Sequence, residues 1–598
     1  MTKTKTQPSD VFSNTGLAWS SSALHCANEP PVASLATPAE RLDRLVRAAV
    51  AAATGGVSPA TLWLAGLDWA VHLAVSPGKQ YVLVLQSLRH MQDWLMGSPP
   101  ALGAAGDPRF SDADWERWPF GWLRDTFLGT QSFWHEAITG LHGVSPHHEN
   151  IVNFMARQCT DMLSPSNFWW LNPEVLSAAA ETGGANFIAG GGQWLDDHRH
   201  ILAGFAPGDS RRRCLPQRVG RDVATTPGQV VYRNALFELI QYAPQTSAVW
   251  REPVLIVPSW ILKYYILDLS PHNSLVRYLV AQGHTVFMIS WRNPGKEGRD
   301  LGLDDYLERG LFEAIEQVRG IAGNAPIHAA GYCLGGTLLA IGAEVLARDG
   351  GPKAAGLKTA TLFAAQTDFS EPGEMGLFID ASELAYLEAL MWEQGYLDGR
   401  QLANAFQLLH SRDLMWSRLA SEYLLGQRAQ ATDLMAWNAD TTRLPYRLHS
   451  ETLEYLYLHN RLAEGKYWVH GRPVALADLR LPMFVVGTER DHVSPWPSVY
   501  KLHLLTRAEI SFLLSSGGHN AGIVSEPGHE GRHYRFSTRS EGSSYLSPGE
   551  WFAQTPVSDG SWWPCWQLWL AAHSSETIAP PVVEMHLGEA PGSYVLEP

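Results

Sequence analysis

One cysteine stands where the surrounding residues favour a reactive side chain. Cys333 lies in the run HAAGYCLGG, which begins at His328, follows an apolar segment and leads into another. Glycines around a single nucleophilic residue, between a strand and a helix, are typical of a strained turn that exposes that residue. The dipole and free N–H groups at the start of the helix favour a thiolate there. The run therefore predicts that Cys333 is a catalytic nucleophile in acyl transfer.

An acid and a base follow this cysteine in a meaningful order. Asp491 comes directly after MFVVGTER, and His519 comes directly after ISFLLSSGG. A thiolate needs a base, the base needs an orienting acid, and the order nucleophile, acid, histidine is that of α/β hydrolases. Either residue alone would more simply be a surface residue. Together, at predicted strand ends, the three residues predict a catalytic triad.

Acyl transfer also requires N–H donors for the charge that develops on the substrate oxygen. The backbone N–H of Leu334, directly after Cys333, is placed to supply the first donor. We expect the second donor in the turn after VLIVPSW, at Trp260 or Ile261.

The use of cysteine instead of serine narrows the reaction. An acyl group on cysteine is a thioester, so exchange with a thioester substrate is nearly thermoneutral, and transfer onward to an alcohol is downhill. This favours an acyltransferase that acts on thioesters such as acyl-CoA.

The elements that must position these residues are readable from the periodicity of the chain. Residues 1–35 are rich in Ser, Thr, Pro and Asn and predict a disordered tail. Residues 36–218 show helical periodicity and predict an N-terminal helical domain. From 219 to 598, strands alternate with helices, except for a helical stretch at about 370–480. We predict an α/β-hydrolase fold with a helical cap insertion, preceded by a mostly α-helical domain.

Composition limits the partners of the protein. A net charge of −15 over 598 residues disfavours non-specific binding of nucleic acid. Five scattered cysteines, without CxxC or zinc spacing, indicate neither a disulfide framework nor a structural metal, which fits a reducing cytoplasm. The polar N-terminus shows no signal peptide. The uncharged stretch 48–67 is broken by Gly55-Gly56 and Ser58-Pro59, so we interpret it as two helices and predict no transmembrane segment.

Some other groups of residues have a functional and a simpler interpretation. Asp196, Asp197, His198 and His200 could be metal ligands but share no recognised spacing, which favours a solvated face. The glycine-rich run 183–192 lacks a phosphate-binding pattern and predicts a loop. The basic run 211–213 is a linker or a contact for CoA phosphates. The 24 tryptophans are packing anchors or a surface for a hydrophobic product.

Several motifs resemble those of polyhydroxyalkanoate synthases in identity and in order. They are SWILKYYILDLSPHNSLVRYLVAQGHTVFMISWRNP, GYCLGG, MAWNADTTRLP, ERDHVSPW, SGGHNAG and GSWWPCW. The N-terminal segment DPRFSDADWERWPFGWLRDTFL is also similar to that family, so the resemblance covers nearly the whole chain.

The resemblance implies an enzyme that polymerises (R)-3-hydroxyacyl-CoA into polyester, with nucleophile Cys333, acid Asp491 and base His519. By resemblance alone, His492 and Asp268 match supporting positions of the family. The resemblance also implies an enzyme of the single-polypeptide class that forms a homodimer and needs no cofactor. It implies a location on the surface of cytoplasmic polyester granules, with phasins as neighbours, and substrates with short acyl side chains. In the family, either the aspartate or the histidine is a candidate to deprotonate the incoming 3-hydroxyl.

Two residues depart from the family pattern. Asn520 follows the predicted base where Ile is frequent, and Leu262 stands where the short-chain enzymes carry Asn before KYY. These departures concern substrate preference and the level of activity, and they leave the triad intact. Two alternative functions remain open at this point: a hydrolase or depolymerase with the same triad, and a granule-bound scaffold whose site has decayed.

Overall fold

The protein was analysed as a computed structural model. It describes residues 37–54, 56–96, 107–202, 217–350, 356–399, 401–402, 415–428, 430–582 and 586–598. The predicted disordered tail and the basic run 211–213 lie outside the described residues.

The N-terminal region consists of helices. They are α1 (Pro38–Ala53), α2 (Pro59–Ala74), α3 (Pro77–Leu95), α4 (Phe120–Ile138), α5 (Pro146–Met162), α6 (Pro173–Thr182) and α7 (Ala185–Leu202). Several begin with a capping side chain followed by proline, because the first helical position needs no N–H donor. Thr37, Ser58 and Ser145 each accept a backbone N–H from the first turn of α1, α2 and α5. The uncharged stretch 48–67 forms parts of α1 and α2, as expected.

The predicted loop at 183–192 is wrong over most of its length. Gly183 ends α6 in the left-handed conformation, with φ 62°, but α7 begins at Ala185 and continues to Leu202. Gly190 lies inside α7, where a Cβ would come within 2.0 Å of the carbonyl oxygen of Tyr423. The glycine therefore permits close packing of a helix instead of breaking it.

The second region is built on a ten-stranded sheet. Its strands are β1 (Gly228–Arg233), β2 (Phe237–Tyr242), β3 (Val254–Val257), β4 (Val286–Trp291), β5 (Ile327–Tyr332), β6 (Leu357–Phe363), β7 (Met483–Thr488), β8 (Ile510–Ser515), β9 (His533–Arg539) and β10 (Val557–Asp559). The spatial order is β1-β2-β4-β3-β5-β6-β7-β8-β9-β10. The six strands from β4 to β8 in this order are parallel, and antiparallel strands extend both edges.

Helices connect and cover these strands. They are α8 (Leu275–Ala281), α9 (Leu303–Asp305), α10 (Glu313–Ile321), α11 (Leu334–Asp349), α12 (Ala381–Gln394), α13 (Asp433–Ala439), α14 (Tyr446–Glu451), α15 (Trp496–Tyr500), α16 (Leu502–Leu505), α17 (Pro548–Gln554) and α18 (Trp563–Ala572). Among the described residues, π-helical segments include Tyr306–Phe312, Leu419–Leu424 and Thr452–Leu458.

The α/β-hydrolase fold class is confirmed, with its helical insertion between β6 and β7 and helices before the sheet. The boundaries proposed at 218, 370 and 480 stay predictions. Strands such as β3 and β7 are buried at every residue, because helices cover both faces of the parallel sheet. The same burial explains why these strands are continuous apolar runs in the sequence. Within the described residues, no helix is long and apolar enough to cross a membrane.

Candidate active site

Cys333 occupies a strained turn between β5 and α11. Its φ and ψ are 53° and −127°, a conformation that a residue with a side chain rarely adopts. Its N–H donates to the carbonyl oxygen of Phe363 at 2.9 Å, and its carbonyl accepts the N–H of Gly336 at 2.9 Å. The neighbouring glycines are required by space: a Cβ on Gly331 would lie 2.4 Å from Cα of Gly336. The sequence thus forces one half-buried thiol to the start of a helix.

Asp491 and His519 are brought together by the loops after β7 and β8. The distance between His519 Nδ1 and Asp491 Oδ2 is 2.8 Å. The Asp491 carboxylate also accepts the N–H groups of Val493 and Ser494, at 2.9 and 2.7 Å, and the hydroxyl of Thr488 at 3.1 Å. A carboxylate with this many donors is held in one orientation, so it fixes the imidazole as well.

The environment of His519 raises its affinity for a proton. Burial alone would lower the pKa of this imidazole, but the hydrogen-bonded Asp491 carboxylate and the neighbouring Cys333 sulfur raise the pKa to about 10. The imidazole therefore bridges the predicted nucleophile and the predicted acid. This arrangement can carry a proton to and from the sulfur.

The predicted oxyanion donors lie on two adjacent segments. Leu334 is the first residue of α11, where backbone N–H groups lack intrahelical acceptors. The loop after β3 lies against the elbow, since a Cβ on Gly335 would come within 2.3 Å of the Val257 carbonyl oxygen. The Ile261 N–H donates to Ser259 Oγ at 3.2 Å, so it would have to exchange this partner for a substrate oxygen.

The two residues expected to support the site are placed differently. His492 is exposed beside Asp491, and its carbonyl oxygen accepts the Glu374 N–H at 3.1 Å. Asp268 is buried and accepts the hydroxyls of Thr226 and Ser274, at 2.5 and 2.7 Å. Burial raises the pKa of Asp268, and these two hydroxyls oppose the shift.

The sequence reasoning missed two tyrosines near the thiol. Tyr332, buried next to Cys333, donates its hydroxyl to Asn520 Oδ1 at 2.6 Å, and its ring lies 5.6 Å from that of His519. Tyr457 comes from the insertion, and its pKa is raised by burial and then by the charges of Cys333 and Asp491. The departure at Asn520 was a usable signal for the first contact, whereas no sequence pattern pointed to Tyr457.

Two tryptophans of the GSWWPCW motif support the histidine loop. The indole N–H groups of Trp562 and Trp563 donate to the carbonyl oxygens of Gly522 and Ile523, each at 3.0 Å. Both side chains are buried, so each ring packs in the core while its polar edge fixes the loop that carries His519. For these residues the interpretation as packing anchors fits the structure.

The acidic and histidine residues near 197 are engaged elsewhere. Asp197 accepts hydrogen bonds from Arg418, Tyr423 and Arg428. His198 Nδ1 lies 2.8 Å from the carbonyl oxygen of Trp194 on its own helix. These contacts join α7 to the insertion. Across the described residues, no group of three or more His, Cys, Asp or Glu side chains could hold a metal ion.

Comparison with known proteins defines the class first. Residues 252–526 match the family described as alpha/beta hydrolase fold. Residues 37–79 match "Poly-beta-hydroxybutyrate polymerase N terminal", and residues 106–279 match "Poly-beta-hydroxybutyrate polymerase (PhaC) N-terminus".

Curated relatives agree along most of the chain. The Poly(3-hydroxyalkanoate) polymerase of Methylorubrum extorquens is 35% identical over 90% of this chain and 88% of the relative. The PhaC subunits of Rhizobium etli and Cupriavidus necator are 36% and 35% identical, over 86% and 83% of this chain and 80% and 84% of those proteins. The chain belongs to the poly(3-hydroxyalkanoate) polymerase family, whose members are acyltransferases. The resemblance and the prediction of an enzyme are confirmed.

Proposed function

We propose that this protein polymerises (R)-3-hydroxyacyl-CoA thioesters into polyester and releases CoA. The observation that carries the proposal is the Cys333 thiol on its strained turn beside the His519–Asp491 pair, whose side chains are 2.8 Å apart. The curated relatives, which are named as poly(3-hydroxyalkanoate) polymerases, support the substrate class. The proposed catalytic residues are Cys333, His519 and Asp491.

The first step is acylation of the cysteine. The proton of Cys333 passes to His519, the sulfur attacks the acyl carbon of the substrate, and the bond from that carbon to the CoA sulfur breaks. His519 then returns the proton to the departing CoA sulfur. An imidazole whose pKa is about 10 is suited to hold this proton beside a thiolate. The N–H of Leu334 would stabilise the oxyanion, with Ile261 as the second donor once it leaves Ser259.

The second step transfers the bound chain to a hydroxyl group. The 3-hydroxyl oxygen of another hydroxyacyl-CoA attacks the thioester on Cys333, its proton goes to a base, and the sulfur leaves as the thiolate. The elongated acyl-CoA can then acylate Cys333 again. We assign the base to His519, because the Asp491 side chain is fully covered and its oxygens already accept hydrogen bonds, whereas His519 retains 13% exposure.

We extend the proposal to the surface of cytoplasmic polyester granules, where a homodimer would work beside phasins. Helices α2 and α3 expose large apolar side chains, and soluble proteins rarely expose such patches without a partner. They include Trp63, Leu67, Tyr81, Leu88, Met91 and Leu95. A hydrophobic polymer is a surface of matching chemistry.

The proposal is tested with purified protein and (R)-3-hydroxybutyryl-CoA. We expect CoA release, measured with a thiol reagent, in proportion to polymer recovered by precipitation and mass analysis. Cys333→Ala should lose both products, and Cys333→Ser is the matched control that keeps a smaller nucleophile. Free 3-hydroxybutyrate without polymer would show a hydrolase instead. Full CoA release by Cys333→Ala would refute the covalent mechanism.

A further inference from the structure

A single carboxamide connects the two loops that carry the reactive groups. Tyr332 directly precedes Cys333, and Asn520 directly follows His519. The Tyr332 hydroxyl donates to Asn520 Oδ1 at 2.6 Å, a short hydrogen bond between neutral groups. It spans 188 positions of the chain, so it closes a link between β5 and the loop after β8. This hydrogen bond therefore joins the same two segments of the chain that carry Cys333 and His519.

The buried Tyr332 hydroxyl is the donor in this hydrogen bond. Tyr332 is 2% exposed, and burial, followed by the charges of Cys333 and Asp491, raises the pKa of its hydroxyl well above 10. The hydroxyl therefore keeps its proton, which it donates to the Asn520 carbonyl oxygen. The NH₂ group of Asn520 is consequently turned away from Tyr332.

That NH₂ group reaches the insertion. Asn520 Nδ2 donates to Asn438 Oδ1 on α13 at 3.4 Å, a longer and more exposed contact. The residues around Asn438 hold the predicted oxyanion loop: the Trp437 indole donates to the Lys263 carbonyl at 2.7 Å, and the Thr442 hydroxyl contacts the Trp260 carbonyl at 3.0 Å. Asn520 thus links the elbow, the histidine loop and the segment of the insertion that supports the oxyanion loop.

We propose that Asn520 is a positioning residue, which sets the spacing between Cys333 and His519 by holding Tyr332 on one side and Asn438 on the other. The proposal rests on the function proposed above for Cys333 and His519. It assigns a role to one of the two positions at which this chain departs from the family pattern. An isoleucine there could pack against the Tyr332 ring, but it would leave the buried hydroxyl without an acceptor.

A double-mutant cycle tests this role. The variants are Tyr332→Phe, Asn520→Ile and the pair together, with Tyr594→Phe as the matched control. Tyr594 donates its hydroxyl to the Asn234 carbonyl at 2.7 Å at the other edge of the sheet, so this variant also removes a tyrosine hydrogen bond. The first measurement is the rate of iodoacetamide alkylation at Cys333 from pH 5 to 9, quantified by peptide mass spectrometry. The second is the single-turnover release of CoA.

We expect each single variant to lower both rates at neutral pH by roughly fivefold to tenfold, the effect of one lost hydrogen bond. The double variant should be no slower than the slower single variant, because both changes remove the same bond. The pH of half-maximal alkylation should move upward by about half a unit or more in all three variants. Tyr594→Phe should leave the rates and this pH unchanged.

The proposal is overturned if the pH of half-maximal alkylation stays constant in variants whose melting temperatures fall, since that pattern means a purely structural role. Additive losses in the double variant also overturn it. If Asn520→Ile does not fold, Tyr332→Phe and Asn438→Ala carry the same comparison, with the smaller loss expected for Asn438→Ala. Alkylation needs no substrate, so failure of the proposed function appears separately, as wild-type protein that alkylates normally without forming polymer.

Discussion

Two aspartate–histidine pairs with nearly the same geometry lie in different regions of the protein. In the active-site pair, Asp491 and His519 are 2.8 Å apart and their side chains are 0% and 13% exposed. In the N-terminal helices, Asp68 and His148 are 2.6 Å apart, with side chains 21% and 29% exposed. The second pair joins α2 to α5, and the hydrogen bond from His148 is the main cause that lowers the pKa of Asp68. Burial and a neighbouring thiol, more than the hydrogen bond itself, distinguish the proposed catalytic pair.

The two regions also differ in the burial of particular tryptophans. Trp562, Trp563 and Trp566 of the sheet region are buried, whereas Trp63 of the helical region is 78% exposed. The regions meet through polar and apolar contacts: Ser58 N–H donates to the Glu383 carboxylate at 2.8 Å at the start of α12, and the rings of Phe154 and Phe378 lie 5.7 Å apart. Several apolar residues of the helical region remain exposed beside this contact.

The largest expected effect separates the two pairs. His519→Ala should lower the rate of CoA release by about 10³-fold to 10⁴-fold, because the site loses its proton carrier. His148→Ala, the matched change in the exposed pair, should alter that rate less than twofold. Steady-state assays on both variants measure the difference. Comparable losses in the two variants would mean that the geometry of the pairs, and not their surroundings, determines function.

The pH dependence of stability should also distinguish the active-site pair. The pKa of His519 is raised to about 10, so its proton stabilises the folded state fully below about pH 6.5, and this contribution disappears as the pH rises through 10. Relative to His519→Gln, wild-type protein should therefore lose an advantage of a few kcal/mol between pH 7 and 10. Urea unfolding at the two pH values measures this. An advantage that is constant with pH would contradict the assignment.

At the contact between the two regions we expect a smaller effect, in which a substitution raises the free energy of unfolding instead of lowering it. Burial raises the pKa of Glu383 to about 7. The protonated form of this carboxyl therefore contributes stability that is fully present below about pH 4.5. This contribution decreases as the pH rises and is fully lost above about pH 7. Glu383→Gln, which keeps an acceptor for Ser58, should raise the free energy of unfolding by about 1 to 3 kcal/mol at pH 8 and very little at pH 4.5. Equal effects at both pH values would exclude a buried titrating carboxyl.

The smallest predicted difference in stability is between two tryptophan substitutions, one in each region. Trp562→Phe keeps most of the buried ring but removes the N–H donor to Gly522, so it should cost about 1 to 2 kcal/mol. Trp63→Ser should change stability by less than about 0.5 kcal/mol, because the ring is exposed. Chemical denaturation compares the two variants. A large loss from Trp63→Ser would indicate that the Trp63 ring itself packs against the protein.

The sequence predicted those features that follow from short-range rules. The parallel strands were visible as apolar runs since both of their faces are buried, and the elbow was visible because glycines are sterically required around Cys333. Asp491 and His519 followed from strand order. The strands β9 and β10 were missed, because β9 is mostly half-exposed and β10 is exposed, so neither gives an apolar run.

Contacts set by turn geometry or by long-range packing were not predictable in the same way. The Ile261 N–H donates to a side-chain hydroxyl, and this partner is set by the local turn rather than by residue type. The Tyr332–Asn520 bond and the approach of Tyr457 to the thiol depend on how distant segments pack. The roles of all these residues in catalysis remain predictions until the variants are measured.

The origin of Tyr457 has a consequence for engineering. The elbow glycines leave no room for side chains, so directed changes there should abolish folding before they alter substrate range. Tyr457, by contrast, belongs to the insertion and packs on Phe369 with ring centroids 4.7 Å apart. Libraries that vary the insertion around these two aromatic residues should therefore change the composition of the polymer. The residues at the strand ends of the sheet would stay the same in every variant.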